Sequence, residues 1–383
     1  MSLEQNNSTS KTEEIRCIGC GAVLQSTDEH EPGYLPASAL QKILSGETEN
    51  IYCQRCFRLR HYNEIMPVQT DNDDFLKLLS TIGNTNHALV VNVVDLFDFD
   101  GSVIPSLPRF IGDNKFILVG NKIDLFPKNT NQRKVKDWLR QQANKVGLFP
   151  EDIFLVSAKR RTNITEFLSF LAQRAGKKND VYFVGTTNVG KSTLVNAIIA
   201  AMGDIKDLIT TSRFPGTTLD RIEIPLAEGN MLIDTPGIIS PNQLAHFLAP
   251  DQLDLISPQK RLKPVTFQLT PGQTVFLAGI GRVDFISGPA SSFVVYADQK
   301  LYLHRTKTVN ADAFYEKHVG ELLVPPSTDQ LAEIPSLVGK IFKPQDKSDL
   351  IFGGVGFITV PGGITVKTYT PNQIGLGMRR AII

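Results

Sequence analysis

Three short motifs, each at the end of a predicted β-strand, constrain the fold of this chain more than any other feature. Residues 185–192 read GTTNVGKS, a GxxxxGKS pattern that follows one predicted strand and opens a helix. Glycines let such a loop wrap a polyphosphate, and the N–H groups at the helix N-terminus donate to the phosphate oxygens. Residues 121–124 read NKID, and residues 234–237 read DTPG. Strands that alternate with helices and end in such motifs predict an α/β domain with a doubly wound, mostly parallel sheet.

The NKxD motif predicts which base is bound. The Asp124 carboxylate can accept two hydrogen bonds, from N1–H and from the exocyclic amine of guanine, whereas adenine offers no such pair of donors. Asn121 belongs to the same motif, and Lys122 is expected to lie along the base plane. A further motif, the triplet SAK, follows another predicted strand. The backbone N–H of its central residue can donate to guanine O6. This triplet consists of Ser157, Ala158 and Lys159.

The remaining motifs predict a phosphate and magnesium site. Lys191 is expected to reach the β- and γ-phosphates, and the Ser192 hydroxyl is expected to ligate Mg²⁺. Asp234 would hold the same ion through water, and the Gly237 N–H would sense the γ-phosphate. The predicted nucleotide-binding loop comprises Gly185, Thr186, Thr187, Asn188, Val189, Gly190, Lys191, Ser192 and Thr193.

A threonine in the segment 214–220 (FPGTTLD) can close over Mg²⁺ when GTP is bound. We favour Thr218 over Thr217, and the alternative is a surface loop with two ordinary threonines. Ile238 follows DxxG where Ras-like proteins place a glutamine that orients the attacking water. Because isoleucine cannot hydrogen-bond to water, we expect slow intrinsic hydrolysis or the use of another group.

The order of the motifs is inverted. An ordinary GTPase has the phosphate loop first, then DxxG and then NKxD, whereas NKxD comes first here. The chain therefore resembles the circularly permuted GTPases, most closely those of the YqeH type, with a CxxC…CxxC module, a permuted GTPase domain and a β-rich C-terminal domain. The resemblance implies a GTPase that acts on the small ribosomal subunit or its precursor, with rRNA or a ribosomal protein as partner, in the bacterial cytoplasm. In related GTPases with Asn-x-Gly-Lys-Ser, the asparagine that corresponds to Asn188 helps to bind K⁺. The alternative is that Asn188 only tolerates a turn conformation.

Two cysteine pairs with CxxC spacing predict a structural zinc site. Each CxxC turn can point two thiolates at one tetrahedral ion. A redox role is disfavoured because neither pair opens a helix after a strand, and His30 and His61 remain possible substitute ligands. The four expected ligands are Cys17, Cys20, Cys53 and Cys56.

Basic and aromatic residues alternate beside the second cysteine pair. Such a mixture suits RNA, because cations meet phosphates while aromatic rings stack on bases; the alternative is a solvated face of a small module. The C-terminal 127 residues carry 14 Lys and Arg against 9 Asp and Glu, which also favours RNA. The candidate RNA-binding residues are Arg55, Arg58, Arg60 and His61, with Tyr52, Phe57 and Tyr62.

These features divide the chain into a mobile tail (1–14), a zinc module (15–66), a permuted GTPase domain (67–256) and a β-rich domain (257–383) with a possible ribosome contact. Two Gly-bearing segments of the last part, 276–281 and 351–356, are similar and suggest a duplicated hairpin; the alternative is two unrelated Gly-bearing strands. The formal charge of +1 gives no general polyanion-binding signature, so no DNA partner is expected. No apolar run is long enough to span a membrane. The alternative function is a non-ribosomal GTP switch that controls a protein partner through the zinc module.

Overall fold

The computed structural model describes residues 15–17, 22–29, 33–45, 47–48, 51–54, 57–58, 72–85, 88–175, 179–203, 222–225, 230–237 and 240–383. The predicted tail at 1–14 lies outside these ranges. Within them, no helix combines the length and the apolar character needed to cross a membrane.

The N-terminal part is a small unit with its own apolar cluster. Helix α1 (Ala37–Leu44) buries Ile43. Isolated bridges join Arg16 to Val23 and Gln25 to Tyr34. The buried residues of this cluster are Cys17, Ala22, Leu24, Leu35, Ile43 and Cys53.

The middle of the chain forms a six-stranded sheet in the order β3-β2-β1-β4-β6-β5. All neighbours in it run parallel except β5 and β6. The valine-rich β1 is buried along its whole length, as expected for a parallel strand covered on both faces. This confirms the predicted doubly wound sheet. The strands are β1 (Leu89–Asp95), β2 (Lys115–Asn121), β3 (Ile153–Leu155), β4 (Val181–Val184), β5 (Ile222–Pro225) and β6 (Met231–Asp234).

Helices cover both faces of the sheet and begin where local signals predict. Asn131 caps α5 by accepting a hydrogen bond from the Lys134 N–H, and Asp98 caps α3 by accepting from the Gly101 N–H. The helices are α2 (Asn72–Gly83), α3 (Phe99–Ser102), α4 (Leu107–Ile111), α5 (Gln132–Lys145), α6 (Ile164–Ala175), α7 (Lys191–Gly203) and α8 (Pro250–Ile256).

The C-terminal part contains two five-stranded sheets, ordered β18-β15-β16-β10-β7 and β11-β8-β9-β17-β14. Both sheets contribute to one core, for example through Phe293 and Leu350 of the first and Val283 and Phe285 of the second. The predicted β-rich region is confirmed. Its elements are β7 (Val265–Leu269), β8 (Gln273–Leu277), β9 (Gly281–Ser287), β10 (Ser291–Ala297), β11 (Leu303–Lys307), α9 (Thr308–His318), β12 (Val319–Gly320), β13 (Leu323–Ser327), β14 (Leu337–Phe342), β15 (Ser348–Phe352), β16 (Gly356–Val360), β17 (Thr365–Pro371) and β18 (Leu376–Arg380).

The two similar Gly-bearing segments form hairpins with the same register, β8–β9 and β15–β16. Thr274 lies opposite Asp284 in the first, and Asp349 lies opposite Thr359 in the second. In each hairpin the threonine Oγ1 donates to the aspartate Oδ1, over 2.7 Å and 2.6 Å respectively. The hairpins thus share one cross-strand pair, with threonine and aspartate exchanged between the strands.

The β-rich part packs on the GTPase sheet through a continuous apolar core. Four residues from this end of the chain belong to the core cluster of the GTPase sheet. Leu262 precedes β7, and the others are Tyr296, Phe357 and Ile382. Arg379 pairs with the buried Asp349 over 3.0 Å, and its Cζ lies 4.8 Å from the Trp138 ring centroid. Burial lowers the pKa of the Arg379 guanidinium. This cation and the tryptophan on α5 therefore join the two parts of the chain.

Candidate functional site

The predicted phosphate loop connects β4 to α7, and two of its glycines have no room for a side chain. A Cβ on Gly185 would lie 2.7 Å from Val93 O, and one on Gly190 would lie 2.5 Å from Asn121 Nδ2. Gly190 also has φ +84°, which L side chains rarely adopt. The loop thus leads the backbone N–H groups to the start of α7, the arrangement that favours an anion.

Three charged and polar side chains meet beside this loop. Lys191 Nζ lies 3.2 Å from Asp234 Oδ1, and Ser192 Oγ donates to Asp234 Oδ2 over 3.1 Å. All three side chains are buried. Asp234 Oδ1 makes no hydrogen bond within the described part of the chain, because its approach to Lys191 is close enough for an ion pair but lacks hydrogen-bond geometry. The sequence-predicted lysine, serine and aspartate are therefore brought together by β6 and the start of α7.

Gly237 lies directly against the phosphate loop. A Cβ at this position would be 3.1 Å from the Thr187 backbone N. The DxxG turn and the loop are thus in contact at the position predicted to sense the γ-phosphate. Thr217, Thr218 and Ile238 lie outside the described residues.

The predicted base-recognition residues meet at the carboxyl ends of β2 and β3. Asn121 Nδ2 donates to Val189 O over 2.9 Å, and Asn121 Oδ1 accepts from the Ala158 N–H over 3.0 Å. Asn121 therefore ties the NKxD and SAK segments to the phosphate loop. The Ala158 N–H predicted for guanine O6 already has a partner, so a bond to the base would share that donor. Asp124 is half-buried in the 3₁₀ turn Ile123–Leu125.

Lys122 is held by an acidic residue that the motif does not contain. Lys122 has φ 72° and places its Nζ 2.6 Å from Asp95 Oδ2 at the end of β1. The sequence motifs assign no role to Asp95. Its position at the carboxyl end of a parallel strand next to β2 was the available signal.

Gln243 is a second residue that sequence reasoning missed. Its Nε2 donates to Thr186 Oγ1 over 3.3 Å and to Thr187 O over 3.4 Å, and its side chain is buried. Because Gln243 follows the DxxG turn, it links the segment that leads to the β-rich part with the back of the phosphate loop. No motif marks it.

Asp98 is a buried carboxyl beside Asp95. Burial raises the pKa of Asp98 from 3.8 to about 7, and the neighbouring Asp95 carboxylate adds to the increase. The Gly101 N–H and the Lys122 ammonium act in the opposite direction. The turn between β15 and β16 covers this carboxyl, since a Cβ on Gly353 would lie 3.0 Å from Asp98 Oδ1, and the Gly354 N–H donates to Phe97 O.

Family models match two parts of this chain. The model described as "50S ribosome-binding GTPase" matches residues 180–262, and the one described as "YqeH-like, C-terminal" matches residues 290–382. The uncharacterized protein YqeH of Bacillus subtilis is 48% identical over 374 residues, which cover 97% of this chain and 100% of that protein. The chain belongs to the YqeH family of circularly permuted GTPases. The sequence-based assignment is therefore confirmed.

More distant relatives of this chain carry other names. A putative nitric oxide synthase of Oryza sativa subsp. japonica is 32% identical over 83% of this chain and 63% of its own length. Nitric oxide-associated protein 1 of Homo sapiens is 24% identical over 96% of this chain and 75% of its own length. The GTPase domain that the family shares supports GTP binding and GTP hydrolysis in general.

The described residues include half of the predicted zinc ligands. Cys17 and Cys53 are both buried, and the Cys53 N–H donates to Cys17 Sγ over 3.2 Å. Cys20, Cys56, His30 and His61 lie outside the described residues. No group of three or more His, Cys, Asp or Glu side chains suited to a metal occurs among the residues that the structure describes. Of the predicted RNA-binding residues, Arg58 and Phe57 are exposed and Tyr52 is half-buried, while Arg55, Arg60 and Tyr62 are outside the described ranges.

Proposed function

We propose that this chain is a Mg²⁺-dependent GTPase whose nucleotide state controls its docking on the small ribosomal subunit or its precursor. The observation that carries the proposal is the convergence of the four motifs on one edge of the sheet. Asn121 contacts both the phosphate loop and the SAK segment, and Asp234 contacts both Lys191 and Ser192. This arrangement supports the proposal that guanine, the phosphates and a cation bind at one site.

The acidic end of the site fits Mg²⁺. The ion prefers oxygen ligands and usually keeps several waters. Ser192 Oγ and the Asp234 oxygen without a hydrogen bond are suited to hold it, the latter through water, and Thr218 would complete the site. Mg²⁺ bound there would offset the charge of the β- and γ-phosphates. Lys191, now beside Asp234, would then turn its ammonium to the phosphates.

Hydrolysis is proposed to be slow and stimulated by K⁺. Ile238 cannot orient a water molecule by hydrogen bonding. Asn188 is exposed in the phosphate loop with φ 63°, so its side chain can reach a cation beside the phosphates. The same conformation is compatible with a purely structural role in the turn, and the salt dependence of hydrolysis separates the two interpretations.

The N-terminal unit is proposed to hold one Zn²⁺. Cys17 and Cys53, which lie 36 positions apart in the chain, meet in the apolar cluster of this unit. A backbone N–H directed at sulfur favours the thiolate form that binds zinc. Cys20 and Cys56 would supply the other two ligands. Closure of this unit by metal would present Arg58 and Phe57 to an RNA partner.

The route from the nucleotide to the docking surface is proposed to run through the segment after DxxG. Gly237 lies against the phosphate loop, and Gln243 bonds to it. The next residues, Leu244, Leu248 and Ile256, already pack in the core of the β-rich part. A change at the γ-phosphate therefore has a short path to the β-rich part, which carries a net positive charge. Amide exchange across residues 240–256 should differ between GDP and a non-hydrolysable GTP analogue.

Co-sedimentation with ribosomal particles tests the proposal. Binding to the small subunit or its precursor should differ between the GDP state and the GTP-analogue state, and it should strengthen as salt falls because phosphate contacts release counterions. The protein is expected to act on these particles in the cytoplasm. Equal or absent binding in both states would contradict the ribosomal role and favour the alternative, a GTP switch that controls a protein partner through the zinc unit.

A further inference from the structure

The chain segment that leaves α8, residues 259–262, returns to the base-recognition end of the site. We call it the return segment. Lys159, the last residue of the SAK triplet, donates from Nζ to Gln259 Oε1 over 3.0 Å and to Gln259 O over 3.4 Å. The Leu262 N–H donates to Leu125 O over 2.8 Å, at the end of the 3₁₀ turn that contains Asp124. Both sequence elements that are predicted to recognise guanine are therefore hydrogen-bonded to the return segment.

A third contact fixes the residue after this turn. Arg261 Nε donates to Phe126 O over 3.2 Å. The Phe126 ring stacks on Phe357 at a centroid separation of 6.0 Å, and the Arg379 Cζ lies 5.8 Å from the same ring. The return segment thus contacts the backbone of Phe126, and the β-rich part contacts its ring.

The C-terminal end of the chain adds contacts at the start of α5, the next helix after this turn. The Asn131 N–H donates to Ile382 O over 2.9 Å, and Lys134 Nζ donates to Ala381 O over 3.0 Å. Asn131 is also the N-cap of α5. Both ends of the stretch between Asp124 and α5 are therefore supported by residues that follow the GTPase domain in sequence.

We propose that the return segment, with Arg261 and Gln259 as positioning residues, holds the NKxD and SAK loops in their guanine-binding geometry and so sets how long and how selectively guanine nucleotides stay bound. The inference rests on the proposed guanine-nucleotide site. GTP and GDP present the same base, so this contact acts equally on both. It differs in that respect from the route through Gly237, which depends on the γ-phosphate. A partner that pulls on the β-rich part would promote nucleotide release from the base side.

The experiment compares Arg261→Ala with Lys263→Ala in the full chain. Both replacements remove one positive charge from an exposed position, two residues apart. Of these two side chains, only Arg261 donates to Phe126 O, directly after the base-recognition turn. Dissociation of fluorescent GDP and of a non-hydrolysable fluorescent GTP analogue is measured by stopped flow, and equilibrium affinities are measured for GDP and IDP. The fluorescence of Trp138, the sole tryptophan of the sequence, checks that the interface remains folded.

Arg261→Ala should release GDP and the GTP analogue faster by the same factor, roughly threefold to tenfold for one hydrogen bond. Lys263→Ala should match the wild type. Selectivity for GDP over IDP should fall, because IDP lacks the exocyclic amine that Asp124 is expected to bind. A general loss of packing would weaken both nucleotides alike and leave this ratio unchanged. The double variant Gln259→Ala/Arg261→Ala should show a larger effect in the same direction.

Two results would overturn the inference. One is equal dissociation rates for Arg261→Ala and Lys263→Ala. The other is an effect confined to the GTP analogue, which would assign the contact to the γ-phosphate route. If the wild type binds no guanine nucleotide, the proposed function itself fails, and that outcome is visible before any variant is compared.

Discussion

Replacing Asp98 with asparagine should reduce the loss of folding stability that the chain undergoes at alkaline pH. Asp98 lies beneath the turn between β15 and β16, where a Cβ on Gly353 would be 3.0 Å from Asp98 Oδ1. Burial raises the pKa of this carboxyl from 3.8 to about 7, with Asp95 and Asp100 adding to the increase. Asparagine has the same shape, stays neutral at every pH and can keep the hydrogen bond from the Gly101 N–H.

The sign of the effect follows from proton linkage. Below about pH 4 the carboxyl is protonated in both the folded and the unfolded chain. As the pH rises from about 4 to about 7, the unfolded chain releases this proton while the folded chain retains it, so the free energy of unfolding falls. Above about pH 7 the full cost of a buried carboxylate is present. A pKa difference of about 3 units corresponds to about 4 kcal/mol, which is the upper limit for the effect.

The assay is urea unfolding at pH 5 and at pH 8, followed by Trp138 fluorescence. The ring centroids of Trp138 and Phe99 lie 6.1 Å apart, and Phe99 belongs to the helix that Asp98 caps. The fluorescence of Trp138 therefore reports on this region. Groups away from Asp95, Asp98 and Asp100 titrate alike in the wild type and in Asp98→Asn, so the difference between the two proteins isolates this group of carboxyls. Asp113→Asn, which removes an exposed carboxyl, is the matched control.

Asp98→Asn should be more stable than the wild type at pH 8, and its advantage should shrink toward pH 5. Asp113→Asn should follow the wild type at both pH values. Identical pH dependence in Asp98→Asn and the wild type would refute the reasoning, because it would mean that Asp98 carries no buried charge at pH 8.

Four further predictions concern the proposed site. Asp124→Asn should weaken GTP binding and shift preference towards xanthine nucleotides, measured by competition; unchanged GTP affinity would remove Asp124 from the pocket. Lys191→Ala should abolish hydrolysis and weaken GTP binding while the fold persists, checked by phosphate release and circular dichroism; wild-type turnover would contradict its role. Hydrolysis should be faster in K⁺ than in Na⁺, and Asn188→Ala should erase that difference; equal rates in the wild type at matched ionic strength would end the K⁺ proposal. Metal analysis should find one Zn²⁺ per chain, and chelation should leave GTP binding largely intact; protein purified without chelator that contains no zinc would count against the cysteine site.

The local elements of the GTPase domain could be predicted from the sequence with close boundaries. Hydrophobic periodicity predicts a helix over 164–175 and a strand over 181–184, and these ranges coincide with α6 and β4. Valine-rich strands and capped amphipathic helices carry their own signal, because hydrophobic periodicity and capping act over a few residues. The motif residues Asn121, Lys191 and Asp234 could be singled out for a similar reason, since each ends a strand or opens a helix.

The order of the motifs by itself determined that this is a permuted GTPase, because strand-end loops of a parallel sheet converge at one edge whatever the order in which the chain visits them. Tertiary structure alone decided which groups support those motifs. Asp95 beside Lys122, Gln243 behind the phosphate loop and Arg261 under the base-recognition turn depend on contacts between distant parts of the chain. No local pattern encodes such contacts, because they arise only when separate elements pack into one core.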